Sequence, residues 1–135
     1  MKIFSSFEIC VRDVSRTVQL FVDIFEAQKE YEDSTFAVIW FGKSRIILNK
    51  LELSEFSAPN PILKAGATEH LGAGLEIVIA VENLSELHGK LQHADVQGLT
   101  DIVSREWGLK DFRFAISDGY YIRVTEPDAG VKEVW

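Results

Sequence analysis

The feature that most constrains this chain is a junction that occurs twice. Val11-Arg12-Asp13-Val14 and Val81-Glu82-Asn83-Leu84 lie 70 residues apart in a chain of 135, and each joins an alternating segment to a helical stripe. Before the first junction, Phe7, Ile9 and Val11 alternate with Glu8, Cys10 and Arg12, the period-two pattern of a half-buried strand. After it, Asp13 is placed to cap a helix, and Val14, Val18, Phe21 and Phe25, supported by Thr17 and Ile24, recur at helical spacing, so a helix is predicted over Val14 to Phe25. The second junction follows a predicted strand at Leu75 to Val81. There Asn83-Leu84-Ser85-Glu86 has the pattern of a capping box, and Leu84, Leu87, Leu91 and Ala94 form a helical stripe.

Each half continues with strands. In the first, Phe36 to Phe41, a turn at Gly42-Lys43 and Arg45 to Asn49 read as a hairpin, with a further short strand near Gln28 to Tyr31. In the second, Gly98 ends the helical unit, and strands are expected near Asp101 to Ser104, at Phe112 to Ile116, and at Tyr120 to Glu126 after the Ser117-Asp118-Gly119 turn. The pattern is α+β, two βαβββ modules within one domain of 1–135: module one about 1–50, a connector about 51–74, module two about 75–127 and a tail 128–135. The length suits one domain and is short for two with independent cores.

Composition then removes classes of partner. With 47% hydrophobic and 26% charged residues the chain reads as globular. A formal net charge of -7 repels phosphate backbones and anionic head groups, so neither nucleic acid nor a membrane surface is an expected partner. No apolar run approaches a membrane span, and Met1 to Ser6 lacks the pattern of a secretory leader, so a cytoplasmic location is expected. The single cysteine, Cys10, excludes an intrachain disulfide.

Three stretches carry a family resemblance: Val11-Arg12-Asp13-Val14 entering a helix, Ala80-Val81-Glu82-Asn83-Leu84 doing the same, and Trp107-Gly108 through Phe112 to Asp118-Gly119-Tyr120, followed by Thr125-Glu126-Pro127. Together they resemble the vicinal oxygen chelate superfamily of glyoxalases, extradiol dioxygenases and bleomycin-resistance proteins, closest to the bleomycin-resistance-like members, over about residues 5–127. The resemblance implies two modules whose curled mixed sheets enclose a cavity, with helices on the outer faces. Strand parity agrees with it. Phe7, Ile9, Val11, Leu75, Ile77, Ile79, Val81, Tyr120, Ile122 and Val124 suit the helix side, while Ser6, Glu8, Cys10, Arg12, Glu76, Val78, Ala80, Glu82, Tyr121, Arg123 and Thr125 face the other way.

Metal-dependent members of that superfamily hold a divalent ion with His or Glu from the first and last strands of each module. Aligned on the junctions, the positions here are Ser6, Arg45 or Ile47 depending on the hairpin turn, Glu76, and Arg123; a two-residue slip would replace Ser6 by Glu8. Only Glu76 is a good ligand, and Arg123 brings a fixed positive charge. His70 lies in the connector, and His88 and His93 on or after the second helix, where a surface role is expected. No metal and no other cofactor is expected.

Cys10 lacks a neighbouring histidine to make it a nucleophile, so a packed thiol is expected, with Arg12 as the one source of positive field. Glu8, Glu76 and Glu82 share one side of the sheets with Arg12, Arg113 and Arg123, either as internal ion pairs or awaiting a polar ligand. Among Phe4, Trp40, Trp107 and Tyr121, Trp40 lies in an all-apolar strand where core packing is the plain reading, and Trp107, in a polar loop, is the better binding candidate. The function expected is metal-free binding of an organic small molecule, of the sequestration or resistance type, by a homodimer. Its site would be Glu8, Glu76, Trp107, Tyr121 and Arg123. The alternatives are a metal-dependent lyase or ring-cleaving dioxygenase with a degenerate site, and a homodimer with a vestigial cavity that pairs through Phe56, Pro61, Ile62 and Leu63.

Overall fold

A computed structural model describes residues 1–51 and 71–135. The chain separates into two compact units, Met1–Leu71 and Gly72–Trp135. Phe56, Pro61, Ile62, Leu63 and His70 lie outside the described residues.

The first unit runs β1 (Ser6–Val11), α1 (Val14–Phe25), β2 (Gln28–Glu32), β3 (Phe36–Phe41) and β4 (Ser44–Lys50). These strands form one sheet in the order β1-β4-β3-β2, with β1 parallel to β4 and the rest antiparallel. A parallel neighbour requires a crossover, and α1 supplies it. The helix begins where expected because the Asp13 carboxylate accepts the Arg16 N–H at 3.0 Å, and the Thr17 hydroxyl donates to the Asp13 carbonyl at 2.8 Å. Val14, Val18, Phe21 and Ile24 are buried together with Ile9, Val11, Ala37, Ile39, Ile46 and Leu48. Each large member of this set contributes about 1.5–3 kcal/mol through burial.

The second unit repeats the topology with β5 (Glu76–Ala80), α2 (Leu84–Leu91), β6 (Val103–Ser104), β7 (Lys110–Ala115) and β8 (Tyr121–Thr125). Its sheet has the order β5-β8-β7-β6, again with the first and last strands parallel. Leu84, Leu87 and Leu91 are buried with Phe112, Phe114, Ile122 and Val124, and His88 lies edge-on to the Phe112 ring at 5.0 Å, which sets α2 on that side of the sheet. Gly72 admits no side chain: a Cβ there would lie 2.5 Å from the Gly119 carbonyl oxygen and 2.6 Å from the Tyr120 Cα. The α+β class and the paired βαβββ order are those read from the sequence.

Several details differ. Phe7 is 64% exposed, so the apolar side of β1 is buried only toward its C-terminal end, at Ile9 and Val11, and in β5 Leu75, just outside the strand, is exposed while Ile77 and Ile79 are half-buried. Helix α2 ends at Leu91, short of the expected Ala94. No capping box forms, because the Asn83 side chain caps nothing and its amide instead approaches the Glu86 carboxylate at 3.5 Å. A short helix not expected from the sequence, α3 (Ala129–Val134), starts at Asp128, whose carboxylate accepts the Val131 N–H at 2.8 Å. Both sheets are open, and neither shows by itself the curled, cavity-enclosing form that the resemblance implies.

Candidate functional site

Strand pairing in the second unit aligns side chains in rows. Glu76, Tyr121 and Ala115 form one row, Val78, Arg123 and Arg113 the next, and Ala80, Thr125, Asp111 and Val103 the third. Cross-strand partners project to the same side, and this is the side opposite the buried Phe112, Phe114, Ile122 and Val124. The sheet therefore has one face built into the core and one face that carries four charges, joined by Arg105 from the turn after β6.

Those charges form a single cluster. Arg113 Nε donates to Glu76 Oε1 at 2.9 Å, and Arg123 Nε stands 3.6 Å from the other oxygen of the same carboxylate. Asp111, with only 1% of its side chain exposed, accepts from Arg105 Nε at 2.9 Å and Nη2 at 2.7 Å through Oδ1, and from Arg113 Nη1 at 3.4 Å. Its Oδ2 lies 4.0 Å from Arg123 Nη1, and neither this oxygen nor Arg123 Nε has a hydrogen-bond partner among the described residues. The hydrogen bonds from Arg105 to Asp111 raise the already high pKa of that guanidinium. Among the described residues three guanidinium groups face two carboxylates, so one positive charge is left over. Val78, Tyr121 and Val103, all exposed, supply apolar surface on the same face.

Of the residues singled out in the sequence, Glu76, Tyr121 and Arg123 are brought together here. Trp107 sits, exposed, in the tight turn between β6 and β7, closed by the Gly108 N–H donating to the Arg105 carbonyl at 3.0 Å. Glu8 belongs to the first unit, where the Asn49 amide donates to it at 3.0 Å. Asp111 and Arg105 join the cluster without a signal strong enough in the sequence to mark them as site residues. The signal for Asp111 was its parity with Arg113, hidden because β7 begins at Lys110 and not at Phe112.

The first unit's outward face is organised around Arg45. Its guanidinium lies over the rings of Phe4 and Trp40, 5.3 and 5.7 Å from their centroids, while its Nε donates to the Ser6 hydroxyl at 3.0 Å. Trp40 is therefore not a core residue: register pairs it with Arg45 and Gln28, and its indole N–H donates to Glu30. Cys10 is half-buried, and burial, with the Glu8 charge second, raises its pKa, which disfavours the thiolate.

The positions that hold a metal in the superfamily do not suit a cation here. Register decides between the two candidates in β4: Glu8 pairs with Ile47 as Val78 pairs with Arg123, so Ile47 is the counterpart of Arg123. The first unit thus offers a serine and an isoleucine. The second offers one carboxylate already engaged by two guanidinium groups. Among the described residues no group of three or more His, Cys, Asp or Glu is placed to hold a metal ion. His88 takes a structural place, bonding the Thr100 carbonyl at 2.8 Å, and His93 is exposed. A separate cleft of about 230 Å³ at the start of α2 carries Glu82, Glu86 and Glu126 against Lys110.

No protein-family model matches the sequence, and no curated protein matches it. Solved structures do match. A fosfomycin resistance protein, FosX, from Mesorhizobium loti is 15% identical, with 100% of this chain and 99% of that one covered and a TM-score of 0.65. FosX from Listeria monocytogenes is 12% identical, covering 95% and 93%, with a TM-score of 0.70. A bleomycin-binding protein from Streptomyces verticillus, complexed with copper(II)-bleomycin, is 18% identical, covering 95% and 99%, with a TM-score of 0.61. At these identities the likeness establishes the fold alone, the one these fosfomycin resistance and bleomycin-binding proteins share. Among the described residues no helix is long and apolar enough to cross a membrane.

Proposed function

We propose that this protein binds an organic small molecule on the open face of its second sheet, without a metal ion, as a sequestration or resistance-type member of its superfamily. The observation that carries this reading is the charge cluster of Arg113, Arg123, Glu76 and Asp111 on a face that the core does not use. Fold stability gives no reason to place two arginines opposite each other on neighbouring strands, since like charges in that relation are unfavourable. The matched bleomycin-binding protein holds an organic molecule, and the FosX proteins act in fosfomycin resistance, which supports the same class of role here.

Arg123 supplies the polar contacts in this reading, with Glu76 holding it and Arg113 in place, and Tyr121 offers a ring for stacking, with Trp107 as a second aromatic contact from the β6–β7 turn. Glu8 lies in the first unit, where it accepts from the Asn49 amide, and has no contact with the molecule in this reading. We propose a cytoplasmic homodimer; pairing is supported because, among the described residues, each sheet leaves edge strands without a partner in that sheet. The metal-dependent alternative is disfavoured by the residues themselves, since Ile47 and Arg123 cannot be ligands and Ser6 offers only a neutral hydroxyl that accepts from Arg45.

The test is a thermal-shift screen of the full chain against chemically diverse small organic molecules, repeated on Tyr121→Ala. Stabilising hits whose effect is lost in the variant support the reading. Hits unaffected by Tyr121→Ala, or none at all, contradict it.

A further inference from the structure

The charge count on this face is uneven. Arg105 and Arg113 are each hydrogen-bonded to a carboxylate, whereas Arg123 is held 3.6 Å from Glu76 and 4.0 Å from Asp111 and makes no hydrogen bond among the described residues. A guanidinium carries five donors in a planar fork, and one left without acceptors in a half-buried site is costly. Arg113 lies directly opposite it. The buried Oδ2 of Asp111, also without a hydrogen-bond donor, is aimed at the same guanidinium and has not closed on it. One unit of positive charge and one set of unused donors thus occur together, beside the exposed side chains of Val78 and Tyr121.

We propose that Arg123, with Arg113, binds the carboxylate of an organic monoanion whose flat apolar body lies over Val78 and Tyr121. The proposal rests on the reading that this face is the binding surface, and it adds the ligand's charge and head group. A carboxylate offers two oxygens in one plane to match the guanidinium fork, and its single charge equals the cluster's excess. A dianionic phosphate would overcompensate that excess, beside Glu76 and Asp111 and in a chain of net charge -7.

The experiment is an NMR shift titration of the full chain with 2-naphthoate and with 2-naphthamide, its uncharged counterpart of similar shape. The expected result is saturable binding of naphthoate at Val78, Tyr121 and Arg123, with the amide at least about tenfold weaker. Arg123→Gln should weaken naphthoate by about tenfold. Glu76→Gln, which removes the carboxylate that competes for the same donors, should tighten it. If Arg123→Gln does not fold, Glu76→Gln still decides, because naphthoate binding that is unchanged or weaker in that variant overturns the proposal. Equal binding of acid and amide on this face overturns the monoanion assignment and leaves the binding surface standing. Failure of both probes to perturb the face overturns the assignment and removes support for the surface as well.

Discussion

Arg113 and Arg123 face each other across neighbouring strands, and one carboxylate, that of Glu76, reaches both. The arrangement is held from below by Asp111, which is buried and hydrogen-bonded by Arg105. Asp111 is thus the structural centre of the cluster, and Arg123 its least committed member.

Replacing Asp111 by Ala leaves three guanidinium groups with Glu76 alone. Removing one partner from a buried ionic network typically costs about 3 kcal/mol, more than the network contributes relative to an apolar one. Asp111→Ala should lower unfolding stability by about that amount in chemical denaturation, and Asp111→Asn by less, since the amide oxygen still accepts from Arg105. A loss below about 0.5 kcal/mol, the usual effect of a surface change, would show that the cluster is not organised around Asp111.

Gly72 tests the packing of the second unit's backbone. The contacts a Cβ would make there are with the Gly119 carbonyl and the Tyr120 Cα, which cannot rotate away as a side chain can. Gly72→Ala should therefore destabilise by about 1–3 kcal/mol, measured by urea unfolding. A neutral substitution would mean that the Gly119 turn lies elsewhere.

How much of this was legible in the sequence depends on how local each signal is. The strand–helix junctions at Asp13 and Asn83 were readable because alternation and helical stripe both occur within a few residues. The parity of Glu76, Tyr121 and Arg123 followed from the same alternation. Trp40 was not readable: β3 is apolar on both sides, and only its register with Arg45 in β4 shows which way the indole points. Asp111 was hidden at the polar start of β7, where a strand and a loop look alike. The choice between Ile47 and Arg45 also needed register, because a hairpin turn fixes it and a turn residue does not. Asp128 was a readable cap, but six residues carry too little periodicity to announce α3.

The turn before β3 makes stability depend on pH. Asp33 accepts the Tyr31 hydroxyl and the N–H groups of Thr35 and Phe36, and these bonds, the first from Tyr31, lower its pKa from 3.8 to about 2. A carboxyl group with a depressed folded-state pKa stabilises fully above its unfolded value and loses that contribution as pH falls through the folded one. The difference in stability between the wild type and Asp33→Asn should thus be constant above pH 3.8 and shrink towards pH 2. A difference independent of pH over that window would contradict the hydrogen bonds assigned to Asp33.

Cys10 should react slowly. Its pKa is raised above 9.0, chiefly by burial and secondly by Glu8. The pH profile of iodoacetamide alkylation should have its midpoint above 9.0, and Glu8→Gln should move it down only part of the way. A midpoint below 9.0 would reopen the case for a reactive thiolate.

If the open face of the second sheet, around Arg113 and Arg123, takes an organic small molecule, the arginine side chains report on it directly. The measurement is the NMR spectrum of the arginine Nε–Hε groups of the full chain, recorded alone and with mixtures of small organic molecules. The Arg123 signal should move most, with Arg113 following through the shared Glu76 and Arg45 of the first unit unmoved. Ligands that shift Arg45 or the residues around Glu82 and Glu126, while Arg113 and Arg123 stay fixed, would place binding elsewhere and contradict it.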